Sequence, residues 1–386
     1  MPEPKPPAHP QSMTQLDDPA ITALTTLLGT RLTTAAVTDV VHAAIGRGDA
    51  DVAEWRFTPV DHPLSTPSTT ALARMTGTTA WGEKWSVFIK AIASARHWPL
   101  IDQIPEQARD EFIAQFPWRA ELDAHACDLP LPDGLRLPRL YRVDDLGDDR
   151  LVLWMEDVRV APRDWDLPRY RTAARLLGRL AALRQVTDAT GPGLRPYWLG
   201  RVTLGLLPIL RDPATWEHPL VARHADPDLR TDLATLAERV PALLDALDRL
   251  PQTFVHGDAC PQNLLIPADG SAEFVAIDWG WSGSYPLAFD LAQLLAGLAF
   301  SGTTDPRDLP AINTEILNAY TEGSGGDPAH VAFGHTATTL IRCGFSALPG
   351  ELLGEEPTPE LDELFRKRIA LTRFIADLAL ALPVSP

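Results

Sequence analysis

The sequence has few cysteines and few lysines, no excess of basic charge and no long apolar segment. Its three cysteines are widely spaced and form no Cys-x-x-Cys pair, so no disulfide framework is indicated. The longest apolar run, residues 286–300, is too short to span a bilayer and is interrupted by Asp290. Acidic residues outnumber basic residues by 51 to 34, and this net charge of −17 argues against non-specific binding to nucleic acid or anionic membranes.

The rest of the composition is that of an ordinary folded protein. Of the 386 residues, 45% are apolar and 22% are charged, and the length suggests two domains or lobes. The first twenty residues contain prolines and charges where a signal peptide would have an apolar core. We therefore expect a cytoplasmic protein with a disordered, proline-rich tail over residues 1–18.

The pattern of apolar residues divides the chain into a β-rich part, residues 19–158, and a mostly helical part, residues 159–386. In the first part it predicts short helices over 20–28 and 33–45 and one long helix over 105–127. The predicted strands of this part cover residues 52–60, 68–77, 85–92, 138–145 and 150–158. The predicted fold class is therefore α+β, with three further short strands inside the helical part.

One stretch of the helical part, residues 254–283, carries polar residues between apolar strand segments. Asp258 and Asn263 flank a tight loop, and Asp278 ends the strand that pairs back on it, so the three side chains should converge. Carboxylate and amide oxygens suit Mg²⁺, which binds through few protein groups together with phosphate. A carboxylate that is not used on the metal can orient an acceptor hydroxyl.

Other interpretations of these residues exist. Asp258 and Asn263 are also turn-forming residue types, and Asp278 could be an acid at a strand end by chance. A metallohydrolase site would usually need two or more clustered histidines, and His256 is the only histidine nearby. Cys260 could be a nucleophile with His256 as its base, although an unremarkable loop position is the simpler interpretation.

The order His-Gly-Asp-x-x-x-x-Asn followed by Ile-Asp-Trp resembles the aminoglycoside phosphotransferase/choline kinase family, which has a protein-kinase-like fold. The resemblance extends from about residue 52 to residue 298. It implies a two-lobed enzyme in which a small β-rich N-lobe binds the nucleotide and a larger helical C-lobe carries the catalytic loop and the acceptor site. The implied reaction transfers the γ-phosphoryl of ATP, with Mg²⁺, to a hydroxyl of a small molecule. An aminoglycoside, an amino sugar or a similar cationic acceptor would suit the acidic balance of the chain.

The resemblance also implies roles for individual residues. Asp258 would be the catalytic aspartate that orients the acceptor hydroxyl, and Asn263 and Asp278 would hold Mg²⁺. His256 would support the loop instead of reacting. Asp290 matches a position whose carboxylate braces the catalytic loop.

Lys90 lies inside an apolar strand, although the chain has only four lysines. A buried ammonium is costly unless it is paired, and the resemblance implies that Lys90 contacts nucleotide phosphates while an acid on the next helix pairs with it. Glu121 is the candidate acid, with Glu111 and Asp123 as alternatives. Lys90 could instead lie at an exposed sheet edge, with Glu121 on a solvated helix face.

The remaining nucleotide contacts have weaker signals. By resemblance, the backbone from Glu156 to Val158 would bond the adenine edge. The loop before the second strand contains no glycine, unlike the Gly-rich loop of protein kinases. Small-molecule kinases of the family often use Ser-rich loops, so the resemblance implies that Ser65 and Ser68, with Thr66 and Thr69, could supply donors to the phosphates. An ordinary polar turn is the alternative there. The glycine-free loop also leaves open a catalytically weak nucleotide-binding pseudoenzyme or regulatory module.

Overall fold

The structure is a computed structural model that divides into two compact units. It describes residues 28, 33–50, 52–60, 66–104, 106–126, 129–183 and 194–383. The first unit is Met1–Ile101 with Arg139–Asp157, and the second is Asp102–Pro138 with Val158–Pro386. The tail expected over residues 1–18, and all but Leu28 of the helix expected over 20–28, lie outside the described residues.

The secondary structure has short strands in both units and most of its helices in the second. The strands are β1 (Val52–Pro59), β2 (Thr69–Thr79), β3 (Lys84–Ala93), β4 (Leu135–Arg136), β5 (Leu140–Gly147), β6 (Arg150–Glu156), β7 (Gln252–Val255), β8 (Leu264–Leu265), β9 (Phe274–Ala276) and β10 (Gly283–Pro286). The helices are α1 (Thr34–Ile45), α2 (Glu106–Gln115), α3 (Ala120–Ala126), α4 (Leu167–Leu183), α5 (Leu194–Gly200), α6 (Leu207–Arg211), α7 (Pro213–Glu217), α8 (Pro219–Ala222), α9 (Leu229–Asp248), α10 (Leu291–Phe300), α11 (Leu309–Ser324), α12 (Pro328–Thr339), α13 (Phe345–Ala347) and α14 (Pro359–Leu380). The predicted α+β class is confirmed.

The first unit is built on a five-stranded antiparallel sheet with the order β1-β2-β3-β6-β5. The five strands predicted here are all present, because their β-branched and aromatic residues can cover one face of a pleated sheet. Helix α1 begins at the N-cap Thr33 and ends at Gly46, which has a φ of 76°. Its valines pack with Trp85, Ile89 and Trp154 of the sheet in one core.

The segment Asp102–Pro138 belongs to the second unit, whereas the sequence analysis grouped it with the first part. Strand β4 pairs in parallel with β9, and α3 packs against the turn Trp279–Trp281, so both elements are held by residues of the second unit. The prediction of a single helix over 105–127 is wrong, because the structure has two helices there, α2 and α3. Pro117 lies between them, and a proline cannot donate the backbone hydrogen bond that a continuous helix needs.

The second unit has a large core formed mainly by helices. Helices α4 and α11 approach so closely that a Cβ at Gly323 would lie 2.2 Å from the carbonyl oxygen of Arg175. The mostly helical character predicted for residues 159–386 is confirmed, and so are the three short strands inside this part, of which β8 and β9 form an antiparallel pair. In the part of the chain that the structure describes, no helix has both the length and the apolar character needed to cross a bilayer.

Candidate active site

The catalytic-loop candidate begins directly after β7 with a turn that requires glycine. Gly257 has a φ of 86°, and a Cβ there would lie 1.9 Å from the carbonyl oxygen of Trp281. Neither the backbone conformation nor the space admits a side chain. The chain can therefore reverse at Gly257 and present Asp258 immediately afterwards.

The carboxylate of Asp290 holds this turn by binding its backbone. Its two carboxylate oxygens accept the backbone N–H groups of His256 at 3.0 Å and of Gly257 at 2.8 Å. Asp290 is only 1% exposed, and this burial raises the pKa of its carboxyl above the ordinary value, although the two N–H bonds act in the opposite direction. The bracing role expected for Asp290 is confirmed.

Both ring nitrogens of His256 are occupied by backbone partners. Nδ1 accepts the N–H of Asp258 at 3.2 Å, and Nε2 donates to the carbonyl of Ile277 at 2.9 Å, which assigns the neutral Nε2–H tautomer. The ring is fully buried against Trp279. His256 therefore supports the loop, as expected, and has no nitrogen left to activate a thiol.

The alternatives to a phosphotransfer site lose support here. Burial, followed by the charge of Asp258, raises the pKa of Cys260 to about 12, so its thiol is protonated and a poor nucleophile. Among the described residues there is no group of three or more His, Cys, Asp or Glu side chains that could hold a metal ion. The metallohydrolase interpretation needs such a cluster.

Asn263 connects the loop to the strand that ends at Asp278. Its Nδ2 donates to the backbone carbonyl of Asp258 at 2.9 Å and to Oδ2 of the same residue at 3.1 Å. The backbone carbonyl of Asn263 accepts the backbone N–H of Ile277 at 2.9 Å. Asp278 follows in the left-handed conformation, with a φ of 61° and a ψ of 60°. The structure thus joins Asp258 to Asn263 directly and places Asn263 beside the residue that precedes Asp278.

Two further residues bind the Asp258 carboxylate, and the sequence analysis missed both. Gln293 donates from Nε2 to Oδ1 of Asp258 at 2.8 Å, and Arg342 donates from Nη2 to the same oxygen at 3.0 Å. Arg342 also donates from Nη1 to the carbonyl of Gly257. A weak signal was present in the sequence, since Arg342 stands among apolar residues of a helical segment, as a buried and paired charge would.

Aromatic side chains surround this arginine. The guanidinium of Arg342 lies 5.6 Å from the ring centroid of Trp198 and 4.9 Å from that of Phe289. Tyr197 contacts Trp281 at 5.3 Å, and Arg201 donates to the carbonyl of Arg342 at 2.9 Å. Helix α5 and the turn that follows it therefore lie beside Arg342, which binds the candidate catalytic residue.

Lys90 is 6% exposed and lies on β3, between β2 and β6, so the alternative of an exposed edge lysine is wrong. Glu121, on α3 of the second unit, is 4% exposed. Its rivals Glu111 and Asp123 are exposed, which leaves Glu121 as the buried acid of the three candidates.

The other nucleotide-binding candidates lie at strand ends or in turns. Ser68 is buried in the first unit just before β2, and Ser65 lies outside the described residues. At the end of β6, Glu156 donates its N–H to the carbonyl of Arg139, which holds this strand end against the residue before β5. Val158 is the first residue of the next segment of the second unit.

Comparison with known proteins adds a family assignment. The model of the phosphotransferase enzyme family matches residues 92–332, which is more than half of the chain. A search of curated proteins found no match.

Solved structures with a similar fold include three antibiotic kinases. An amicoumacin kinase, hAmiN, in complex with AMP-PNP, Ca²⁺ and Ami is 14% identical, with 86% of this chain and 90% of that chain covered and a TM-score of 0.47. An aminoglycoside phosphotransferase from Alicyclobacillus acidocaldarius subsp. acidocaldarius is 16% identical, with coverages of 88% and 96% and a TM-score of 0.49. A spectinomycin phosphotransferase in complex with ADP and spectinomycin is 12% identical, with coverages of 91% and 98% and a TM-score of 0.40. On the strength of the family match, this chain belongs to the phosphotransferase enzyme family, and its enzyme class is that of a small-molecule kinase that uses ATP.

Proposed function

We propose that the enzyme transfers the γ-phosphoryl of ATP to a hydroxyl of a small molecule and that Asp258 is its catalytic residue. The observation that carries this proposal is the exposure of the Asp258 side chain, 23%, on a loop whose supporting residues His256 and Asp290 are buried. A carboxylate held rigidly at the surface of such a loop can meet an acceptor hydroxyl without reorganisation.

In the proposed reaction the acceptor hydroxyl oxygen attacks the γ-phosphorus. A new bond forms between them, and the bond from the γ-phosphorus to the β–γ bridging oxygen breaks. ADP leaves with the electron pair of that bond. Asp258 orients the hydroxyl and takes its proton, which then passes to solvent.

Asn263 and Asp278 are the residues that would hold Mg²⁺. Asn263 donates from Nδ2 to Asp258, so its side-chain amide oxygen is the atom that would bind Mg²⁺. An amide oxygen and a carboxylate match the oxygen preference of Mg²⁺, and two protein ligands are enough where phosphate oxygens and water complete the shell. When bound, the ion would neutralise charge on the phosphates.

We propose Lys90, Glu121 and Ser68 as nucleotide-binding residues, and the backbone of Glu156 and Val158 as the adenine contact. The burial of Lys90 in a central strand supports a functional role, because a buried ammonium is retained only where its charge is used or paired. Ser65 remains a candidate by its position in the sequence.

Two chemical classes of acceptor, cationic and neutral, can be proposed. The acidic composition favours a cationic compound such as an aminoglycoside or amino sugar. Arg342 and Arg201, however, are the charged residues beside Asp258 on the side of the aromatic cluster, and they would repel an ammonium placed there. A neutral acceptor would not meet this repulsion, so both classes belong in the test.

The experiment is ATP turnover by the purified chain across a panel of cationic, neutral and anionic hydroxyl compounds, with and without Mg²⁺. For Asp258→Asn we expect a kcat that is roughly 10²–10⁴-fold lower, with ATP affinity nearly unchanged. Asp269→Asn is the matched control, because Asp269 lies in the exposed turn between β8 and β9 and Asn can replace it there.

Two further variants examine the nucleotide and metal proposals. Asp278→Asn should weaken the Mg²⁺ dependence of ATP binding measured by calorimetry, and Lys90→Ala should weaken ATP use more than it lowers the melting temperature. An Asp258→Asn enzyme within a few-fold of the wild-type rate would remove Asp258 from the mechanism. ATP binding without any turnover across the panel would favour the pseudoenzyme alternative.

A further inference from the structure

Arg342 is a buried charge placed directly against the candidate catalytic residue. Its side chain is 6% exposed, and its guanidinium bridges Oδ1 of Asp258 and the backbone carbonyl of Gly257. The aromatic rings of Trp198 and Phe289 lie within 6 Å of the guanidinium, at distances of 5.6 and 4.9 Å. The arginine therefore holds the backbone of the turn and the carboxylate that follows it as one unit.

The backbone around Arg342 is unusual as well. The turn Leu340–Gly344 is a π-helical insertion between α12 and α13, and such insertions occur frequently at functional sites. A second π-helical turn, Arg201–Leu206, is joined to the first by the bond from Arg201 to the carbonyl of Arg342. The first turn contacts the loop that carries Asp258 through Arg342, and the second is linked to that loop through the first.

These contacts occupy most of the hydrogen-bond acceptor positions of the Asp258 carboxylate. An ionised carboxylate has about four acceptor positions, two on each oxygen. Oδ1 of Asp258 accepts from Gln293 and from Arg342, so both of its positions are used. Within the described part of the chain, Oδ2 accepts a hydrogen bond from the Nδ2 of Asn263 alone, so one position on Oδ2 is left for a hydroxyl.

We propose that Arg342, together with Gln293, is a positioning residue that saturates Oδ1 of Asp258 and thereby directs Oδ2 to the acceptor hydroxyl. This inference rests on the proposed function, in which Asp258 takes the proton of the acceptor. Arg342 does not touch the nucleotide or the acceptor in this scheme and acts through Asp258.

The energetics of burial support a functional role over a stabilising one. A buried ion pair is often no better for stability than apolar residues of similar volume, because desolvation of the charges offsets their attraction. Methionine can occupy the space of the arginine stem between Trp198 and Phe289. A stabilising role alone therefore gives little reason for a guanidinium at this position.

The first test compares Arg342→Met with Arg368→Met in the full-length chain. Arg368 is an equally buried arginine, 5% exposed, that bonds the backbone carbonyls of Ser346 and Ala347 and does not contact Asp258. The readout is turnover of Mg–ATP with water as the acceptor, and with any acceptor that the panel identifies. For Arg342→Met we expect kcat to fall by ~10- to 100-fold, with KM for ATP within twofold of wild type. Arg368→Met should lower the urea midpoint and leave kcat within twofold.

The second test is a double-mutant cycle with Asp258→Asn. If Arg342 acts through Asp258, its loss in the Asp258→Asn background should change kcat by less than about twofold. Additive losses, or an Arg342→Met kcat close to wild type, would overturn the inference. An Asp258→Asn enzyme with wild-type kcat would instead overturn the proposed function, so the two failures are distinguishable.

A third measurement keeps the test decisive if Arg342→Met folds poorly. Arg342→Lys retains a cation but cannot make both bonds in the same geometry, so we expect a smaller loss of kcat with folding preserved. In Arg342→Ala, added guanidinium at millimolar concentration should restore part of kcat, while the same salt should not affect Arg368→Ala. No rescue, together with full activity of Arg342→Lys, would contradict the positioning role.

Discussion

Replacing Gly257 by alanine is expected to destabilise the protein and to displace Asp258. Two physical costs add at this position. The φ of 86° places an L-residue in the left-handed region, at a cost of about 1–2 kcal/mol. The new Cβ would also lie 1.9 Å from the carbonyl oxygen of Trp281, so the loop and the turn Trp279–Trp281 must separate. Overpacking of this kind costs about 1–3 kcal/mol more, giving a total of roughly 2–5 kcal/mol.

The matched control is Gly270→Ala. Gly270 also has a positive φ, 67°, but a Cβ there would meet nothing within 4 Å, so only the conformational cost applies. Urea unfolding followed by circular dichroism should show the larger loss of stability for Gly257→Ala. Turnover should fall by ~10²-fold or more for that variant alone, because a displacement of about 1 Å at a reacting group has an effect of this size. Equal stability losses and equal activities in the two variants would refute the steric argument.

Two other predictions concern buried titratable groups. Burial lowers the pKa of His335 to about 4 from an ordinary value of 6.5, so the neutral ring contributes stability above pH 6.5 that is lost as the pH falls towards 4. Urea unfolding should therefore show about 2 kcal/mol less stability from this group at pH 5 than at pH 7.5, and His335→Gln should remove that difference; an unchanged pH dependence in the variant would contradict it. Burial also raises the pKa of Cys260 to about 12 and that of Cys343 to about 11. In a Cys127→Ser protein, iodoacetamide at pH 8 should therefore label them ~10²–10³-fold more slowly than free cysteine, and rapid labelling of the native protein would count against this assignment.

The parts of the site that the sequence predicted are local in the chain. His256, Asp258 and Asn263 lie within eight positions of one another, and Asp278 follows β9, the strand that pairs back on β8, so spacing alone brings them near. Each has a residue type whose chemistry suits its place. The role of Asp290 was also accessible, since it begins the helix that follows the same hairpin.

The parts that the sequence did not predict depend on long-range packing. Arg342 is 84 positions after Asp258, and its approach to the carboxylate depends on a π-helical turn that no spacing rule indicates. The break between α2 and α3 was missed because the acidic and apolar pattern continues across Pro117, although proline itself is a strong signal. Strand β4 has only two residues, too few for any periodicity to appear.

The local charges around Asp258 also bear on the choice of acceptor, for which the net charge of −17 is the wrong quantity. Charges spread over a surface are screened beyond about 8–10 Å at physiological salt, whereas groups in contact are hardly screened. The carboxylate of Asp258 is met by a guanidinium and two amides, and a second guanidinium, that of Arg201, lies one hydrogen bond further away. The groups that bind the Asp258 carboxylate in this acidic chain are therefore cationic or neutral, and aromatic rings lie beside them. Binding a polycation there would require the ammonium groups to be desolvated next to arginines, which is costly, whereas a neutral hydroxyl on an apolar or aromatic body would not incur that cost. For this reason the neutral members of the acceptor panel should be examined first.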